Sequence, residues 1–564
     1  MEKHWWQRTN IYQIYLRSFF DSNHDGIGDL HGVVAKLDYL KDLAIGVLWI
    51  SPHYASPMDD NGYDVSDFLR VADEYGTIED FSLLLREAHR RGMRVITDLV
   101  LNHTSDEHPW FQAAKDPAHP EHRKYHDYYI WQKPKTDDTG QRIAPTRWIG
   151  WFGSPAWEYN AATDEYYLHI FYKKMPDLNW RNEAMREDIK KIIRFWIDLG
   201  VDGFRVDASN HLEKNWAFPD DYPGYQHFSS LPKHHEYLRE LGTELFVPND
   251  LLTIGESGGA NKEEALLYAG YGSNEFNMLI QFGHCWADID DHHPILRGKW
   301  AKGTFHPSRV KASFANWYEM LDQKGWNVIY WHNHDQPRVL SHYGNTGVHR
   351  ERSAKALAAA LYLMPGTAIL YQGEEIGMSN VDYERLDQFR DVEVFTEYAN
   401  FRSRGMDHEA AMQVLRDRSR DNARTPMPWT DQAYGGFSTV SPWIDVIGNY
   451  PDVNVKKQEN DPESVLSWHK TLLRLRAADE NITHGSIRFL DPKNDLDFCY
   501  RNTGKDSELL VLTNFSDQFV KKSLQEPNLA KFTLFLSNCD ALRTPTETMV
   551  LPPYAAQVYR RALK

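Results

Sequence analysis

GFRVDA, residues 203–208, decides how the rest of the chain is read: an apolar, β-like run ends on an acidic residue. Four other stretches are built alike at the ends of similar runs, DDNGYD (59–64), DLVLNH (98–103), TIGES (253–257) and HNHDQ (332–336). Together they deliver Asp207, Glu256 and Asp335, three carboxylates arriving in separate units of a regularly alternating chain. That spacing reads as one site.

Working outward, short β-rich runs alternate with amphipathic helical stretches over most of the chain. The strand candidates are IYQIY (11–15), GVLWI (46–50), VITDLV (95–100), GFRVD, LLTIGE (251–256), FNMLIQF (276–282), VIYWHN (328–333) and AILYQGE (368–374). Most are followed by a segment of helical period that ends near glycine. Eight β/α repeats predict an α/β (β/α)8 TIM barrel, in which the C-terminal strand ends carry the chemistry. Asp98, His103, Asp207, Glu256 and Asp335 all fall at those ends. Residues 104–173, rich in Trp, Tyr, Pro, His and Lys, interrupt the alternation and predict an inserted subdomain over the barrel mouth after strand 3. The barrel then comprises 1–103 and 174–483, and the short alternating runs of 484–564 predict a closing antiparallel β-sandwich.

A net charge of −17, from 63 basic against 80 acidic residues, argues against a nucleic-acid groove or an anionic membrane surface. The three cysteines, Cys285, Cys499 and Cys539, are widely separated and outside any CxxC or Cys/His pattern, so neither a disulfide framework nor a structural zinc site is suggested, and a reducing compartment fits best. MEKHWWQRTN has no apolar signal region and no uncharged apolar run of about 18 residues follows, so a soluble, unexported, cytoplasmic protein is expected. A monomer or weak homo-oligomer is expected, with no nucleic acid and no membrane as partner.

Two carboxylates on neighbouring barrel strands permit glycosidic cleavage, one attacking the anomeric carbon while the other gives a proton to the departing oxygen. Arg205 lies two residues before Asp207, so both point into the lumen and the guanidinium is expected to keep Asp207 ionised. Glu256 has no basic neighbour in TIGES, which suits a protonated general acid. Asp335, flanked by His334 and Gln336, is placed to hold sugar hydroxyls.

On these motifs, and on YQIYLRSFFDSNHDGIGDL, YQGEEIGM and SRDNARTPM, the chain resembles the α-amylase superfamily of glycoside hydrolases over essentially its whole length, specifically the oligo-1,6-glucosidase and α-glucosidase branch. The resemblance implies Asp207 as nucleophile, Glu256 as acid/base and Asp335 as transition-state stabiliser. It implies that Asp60, Tyr63, His103, Arg205, His334 and Arg420 grip the non-reducing glucose, the Asp and Arg pair making the enzyme exo-acting. Phe152 and Phe171 are expected as apolar walls of the pocket, Trp157 and Trp180 as core. Retention of configuration is implied, with roughly 5 Å between the catalytic carboxylates.

In DSNHDGIGD, Asp21, Asn23, Asp25 and Asp29 alternate around a glycine-bearing loop with the Ile27 carbonyl between them, a donor set for Ca2+ or, alternatively, Mg2+. Relatives carry a metal at this loop, and the role implied is structural. In this branch the residue after the nucleophile resembles a linkage selector, Val accompanying α-1,6 preference. Ala208 therefore gives an expectation of α-1,4 linkages, as in maltose and short maltodextrins, with some α-1,6 cleavage and transglucosylation. Met175, Pro428 and the Ser257–Gly258 pair depart from the branch pattern on the acceptor side. The rival readings are an oligo-1,6-glucosidase, then a trehalose-6-phosphate hydrolase, whose relatives tend to lack the tract kept here as Phe171, Lys173 and Lys174, or a sucrose isomerase. A non-catalytic scaffold is disfavoured because all three carboxylates are present.

Overall fold

A computed structural model describes residues 4–563. Eight parallel strands follow in the predicted order: β1 (Asn10–Ile14), β2 (Val47–Ile50), β3 (Arg94–Val100), β4 (Gly203–Asp207), β5 (Leu252–Glu256), β6 (Met278–Ile280), β7 (Val328–Ile329) and β8 (Thr367–Tyr371). Ladders run β6-β5-β4-β3-β2-β1-β8-β7, which is a barrel closed except at one seam. At that seam β6 and β7 share no ladder among the described residues, and the Tyr330 hydroxyl instead donates to the Gln281 carbonyl at 2.6 Å. Both flanking strands are shorter than the apolar runs FNMLIQF and VIYWHN suggested, because pairing stops there on one side.

The strand period of two sorts side chains into two layers. Ile11, Val47, Trp49, Ile96, Leu252, Ile254, Met278, Val328 and Ile369 fill the lumen as one cluster. The intervening Tyr12, Leu48, Val95, Phe204, Val206, Leu279, Ile329 and Leu370 join the larger core under the outer helices. Gln13, Asp98, Arg205, Asp207 and Glu256 have the lumen parity, one step further toward the C-terminal ends. The same alternation that packs the barrel therefore aims the polar groups into one mouth.

Outer helices start and stop where local chemistry dictates. Helix Ile78–Arg90 opens on a Thr77/Asp80 capping box, and Glu183–Leu199 is capped by Asn182 and ends on left-handed Gly200 at φ +109°. Between β3 and Glu183–Leu199 the chain makes two short helices, a three-stranded antiparallel sheet (Trp131–Gln132, Glu165–Leu168, Trp157–Asn160) and a two-stranded hairpin. Trp148, Trp157 and Ile170 of this insertion share an apolar core with Phe228 from the loop after β4. Its ties to the barrel are polar as well: the buried Lys214 ammonium pairs with Asp177 at 2.9 Å and donates to Asn102 Oδ1 at 2.8 Å. At the C-terminus a five-stranded antiparallel sheet (Ser486–Phe489, Tyr500–Thr503, Ser507–Thr513, Ala556–Ala562, Thr533–Ser537) packs on a ribbon formed by Val520–Ser523 and Thr548–Leu551. Among the described residues no helix is long and apolar enough to cross a membrane.

Candidate active site

Strand register assembles the centre. Arg205 lies directly beside Asp98 on β3 and beside Ile254 on β5, so Glu256, two residues on, rises from the same lumen wall. The buried guanidinium is divided three ways: Nη1 reaches Asp98 Oδ1 at 2.5 Å and Asp207 Oδ1 at 2.7 Å, and Nη2 reaches Glu256 Oε1 at 2.6 Å. Two expectations are corrected here. Glu256 does have a cationic neighbour, invisible in TIGES because it comes from the adjacent strand. Burial also pushes the Asp207 carboxyl well above the usual range despite Arg205, because one cation serves three carboxylates. Asp98 is likewise raised by burial, to about 6.

After β4 the chain turns at Ala208, which adopts the left-handed conformation at φ +46° and starts the single turn Ser209–His211. The Ala208 N–H donates to Glu256 Oε2 at 3.1 Å, and Ser209 Oγ donates to the Glu256 carbonyl at 2.7 Å. The two strand ends are thereby stitched together.

The third carboxylate has the opposite surroundings. Asp335 lies 3.1 Å from Arg424 Nη2 and 3.5 Å from Arg420 Nη1. Burial works against its charge, yet the Arg420 and Arg424 guanidiniums hold it well below the ordinary carboxylate range. Arg420 also binds Asp60 Oδ1 at 2.9 Å and, through Nε and Nη2, both oxygens of Asp391 at 2.7 and 2.5 Å. His334 stacks on Tyr63 with ring planes 1° apart, its Nδ1 accepting from the Gln13 amide at 2.8 Å and its Nε2 lying 2.6 Å from the Tyr63 hydroxyl. Burial lowers His334 and His103 to about 3, so both imidazoles are neutral. His103 Nε2 donates to the Tyr63 carbonyl at 3.2 Å.

These groups surround one cavity of about 1220 Å³. Asp60, Tyr63, His103, Phe152, Phe171, Asp207, Ala208, Glu256, Asp335 and Arg420 line it, while Arg205 and His334 lie buried immediately beneath. Phe152 lies 4.7 Å from the Arg420 guanidinium and packs edge-on against Phe171. Met175 lines the cavity, whereas Trp157 and Trp180 are core, the latter donating from its indole to the Leu101 carbonyl at 2.7 Å. Lys174 ties the insertion to the DDNGYD loop through Asp59 at 2.8 Å.

Sequence reading passed over Asp391 and Arg424. Asp391 sits in a loop without a motif, although its place as N-cap of helix Val392–Ser403 marks it as buried structure. Arg424 had a signal, lying four residues after Arg420 in RDNAR and so able to reach the same carboxylate.

The DSNHDGIGD loop is self-satisfied by backbone donors. Asp21 accepts from the His24 and Gly26 N–H groups at 2.6 and 2.9 Å, Asp25 from Ile27 at 2.8 Å, and Asp29 from Ser22 and Gly32 at 2.8 and 2.7 Å. Asp21 Oδ1 and Asp29 Oδ1 each accept two hydrogen bonds, from His24 and Asp25 and from Ser22 Oγ and Gly32, while the remaining oxygens of this all-oxygen donor set suit a hard cation. Among the described residues no three His, Cys, Asp or Glu side chains converge as metal ligands.

The profile described as the catalytic domain of α-amylase matches residues 13–485. The chain belongs to the α-amylase family. As a member it is a glycoside hydrolase, and it is 43% identical to the oligo-1,6-glucosidase of Bacillus cereus over 99% of this chain and 100% of that one. Among solved structures, the trehalose-6-phosphate hydrolase of Bacillus licheniformis superposes with a TM-score of 0.91 at 38% identity, covering 99% of this chain and 100% of that one. An isomaltulose synthase mutant of Erwinia rhapontici NX5, solved with sucrose, superposes with a TM-score of 0.93 at 34% identity, covering 99% of each chain.

Proposed function

We propose that this family member is a retaining, exo-acting α-glucosidase that releases glucose from the non-reducing end of short α-gluco-oligosaccharides. The observation that carries this reading is the pairing of Asp207 and Glu256 on one guanidinium at the inner end of a cavity that the Asp60–Arg420 bridge closes off. Asp207 attacks the anomeric carbon as the carboxylate, the form that Arg205 at 2.7 Å favours against burial, while Glu256 protonates the departing oxygen. Water, deprotonated by Glu256, then displaces Asp207 and restores the starting configuration. A sugar hydroxyl in place of that water gives transglucosylation. Asp335, kept anionic by its arginines, bridges hydroxyls of the terminal glucose, and Asp60 with Arg420 blocks chain extension beyond it.

The linkage assigned is α-1,4, because Ala208 puts only a methyl group beside the scissile bond. The α-1,6 reading follows as the second, favoured by the relative named for it at 43% identity; trehalose-6-phosphate hydrolysis and sucrose isomerisation rank after both. Glucose release from maltose, isomaltose, trehalose, trehalose-6-phosphate and sucrose, with the first anomer followed, is the test. Fastest cleavage of maltose with initial α-glucose is expected; a β-anomer would overturn the mechanism, and faster cleavage of isomaltose the linkage.

Asp21, Asn23, Asp25, Asp29 and the Ile27 carbonyl are assigned to a structural Ca2+, with Mg2+ the alternative. The cation would supply charge compensation to the loop entering helix Leu30–Ala35, and chelation is expected to lower Tm by a few degrees with kcat unchanged below the transition. Three free cysteines support a cytoplasmic location.

A further inference from the structure

Helix Val392–Ser403 presents Glu393, Glu397 and Asn400 to the cavity, a spacing of four and three residues that puts them on one face. Across the cavity stands the insertion's loop 150–154, held in a tight turn by the Gly153 N–H on the Gly150 carbonyl at 3.0 Å, the Gly150 N–H on the Ser154 carbonyl at 2.8 Å and the Trp151 N–H on the Ile170 carbonyl at 2.7 Å. The loop and the helix meet at Gly153. The Asn400 amide reaches the Gly153 carbonyl at 3.5 Å and the Glu397 carboxylate at 3.4 Å. A side chain on Gly153 would run into Glu397 and stand 3.0 Å from Asn400 Nδ2, and the backbone there is left-handed at φ +76°. Only glycine admits this approach.

Next to Gly153 is Phe152, whose ring covers the Arg420 guanidinium. The same helix is gripped at its start by Arg420 through Asp391. Contacts therefore run in a closed circuit, from Arg420 through Asp391 and the helix to Glu397, across to Gly153, and back through Phe152 onto Arg420.

We infer that Glu397 and Asn400 are positioning residues that hold the 150–154 loop across the cavity, so that Phe152 caps Arg420 and turns the glucose end of an open groove into a pocket. Neither touches the reacting atoms, and their effect is on sugar binding, which rests on the α-glucosidase reading above. The Glu397 carboxyl lies in the field of Glu393, Lys299, Arg404 and Tyr225 and is pushed up to about 7, by burial first and Glu393 next. The neutral acid thus sits against Gly153 in the closed arrangement. Ionisation as pH rises through about 7 brings a second charge beside Glu393 and loosens the contact.

The test is steady-state kinetics on maltose and isomaltose from pH 5.5 to 8.5. Wild type should show KM rising above pH 7. Glu397→Ala should raise KM about tenfold at pH 6 with kcat changed less than threefold. Glu397→Gln, which keeps the shape without the charge, should restore a low KM and abolish its alkaline rise. Gly153→Ala approaches the contact from the other side and should raise KM likewise. Unchanged KM in Glu397→Ala and Gly153→Ala, or an alkaline rise that persists in Glu397→Gln, would overturn the inference. A wild type that cleaves no α-glucoside would instead overturn the function on which it rests.

Discussion

Two arginine clusters mark the two ends of the candidate site and differ in how many cations face their carboxylates. Around Arg205 one guanidinium faces Asp98, Asp207 and Glu256; around Asp335 two guanidiniums, Arg420 and Arg424, face Asp60, Asp335 and Asp391. The first cluster is short of positive charge, and burial lifts Asp98 and Asp207. In the second, Asp335 and Asp391 are held far down, while burial lifts Asp60 to about 6. Two cations keep Asp335 and Asp391 charged in the second cluster, where one cation leaves Asp98 and Asp207 raised in the first. In the proposed reaction the end with one cation carries the group that exchanges a proton, and the end with two holds hydroxyls.

The largest effect tests the first cluster directly. Asp207→Asn and Glu256→Gln should each cut kcat by about three to four orders of magnitude while the melting transition stays cooperative. Comparable turnover in either would erase the distinction between the two ends. At the other end, Arg420→Lys keeps the charge but loses the fork that serves Asp60 and Asp391 together. It should reduce kcat/KM by about tenfold to a hundredfold, carried by KM. A loss carried by kcat alone would make both ends catalytic.

Asp98 sharpens the contrast through pH. Its folded-state pKa, about 6, lies above the ordinary aspartate value near 3.8, so its contribution to stability is complete below about pH 4 and is lost as pH rises through 6. Measured against wild type, the Asp98→Asn variant should therefore gain stability between pH 4 and 7, by about 3 kcal/mol at most. A pH-independent difference would mean that Arg205 compensates Asp98 fully. The smallest effect concerns Ala208→Val, where a branched side chain meets both the scissile bond and a left-handed backbone. The ratio of α-1,6 to α-1,4 cleavage should rise up to about tenfold, with a small loss of stability; an unchanged ratio would remove Ala208 from linkage choice.

The barrel was legible because its signal is local. Each of the eight strand candidates is an apolar run, and the period of two that puts Ile254 in the lumen also puts Glu256 there. What stayed hidden is what depends on register between strands or on distant packing. That Arg205 stands beside Asp98 is a fact about β3 and β4 together, and neither DLVLNH nor GFRVDA contains it. Asp391 reaches Arg420 from a loop whose sequence carries no motif, and the meeting of Gly153 with Glu397 joins segments 244 residues apart in number but adjacent in space. The shortening of β6 and β7 was equally unreadable, since an apolar run looks the same whether or not a neighbour pairs with it.

That unpaired seam makes the ring unequal around its circumference. Six of the strands are zipped on both sides, whereas β6 and β7 are each zipped on one, with the Tyr330 hydroxyl spanning the gap between them. Deuterium from the solvent should enter there first: the amides of Met278–Ile280 and Val328–Ile329 should label ahead of those in β3 and β4, so that the barrel opens like a clasp bracelet, at one known link.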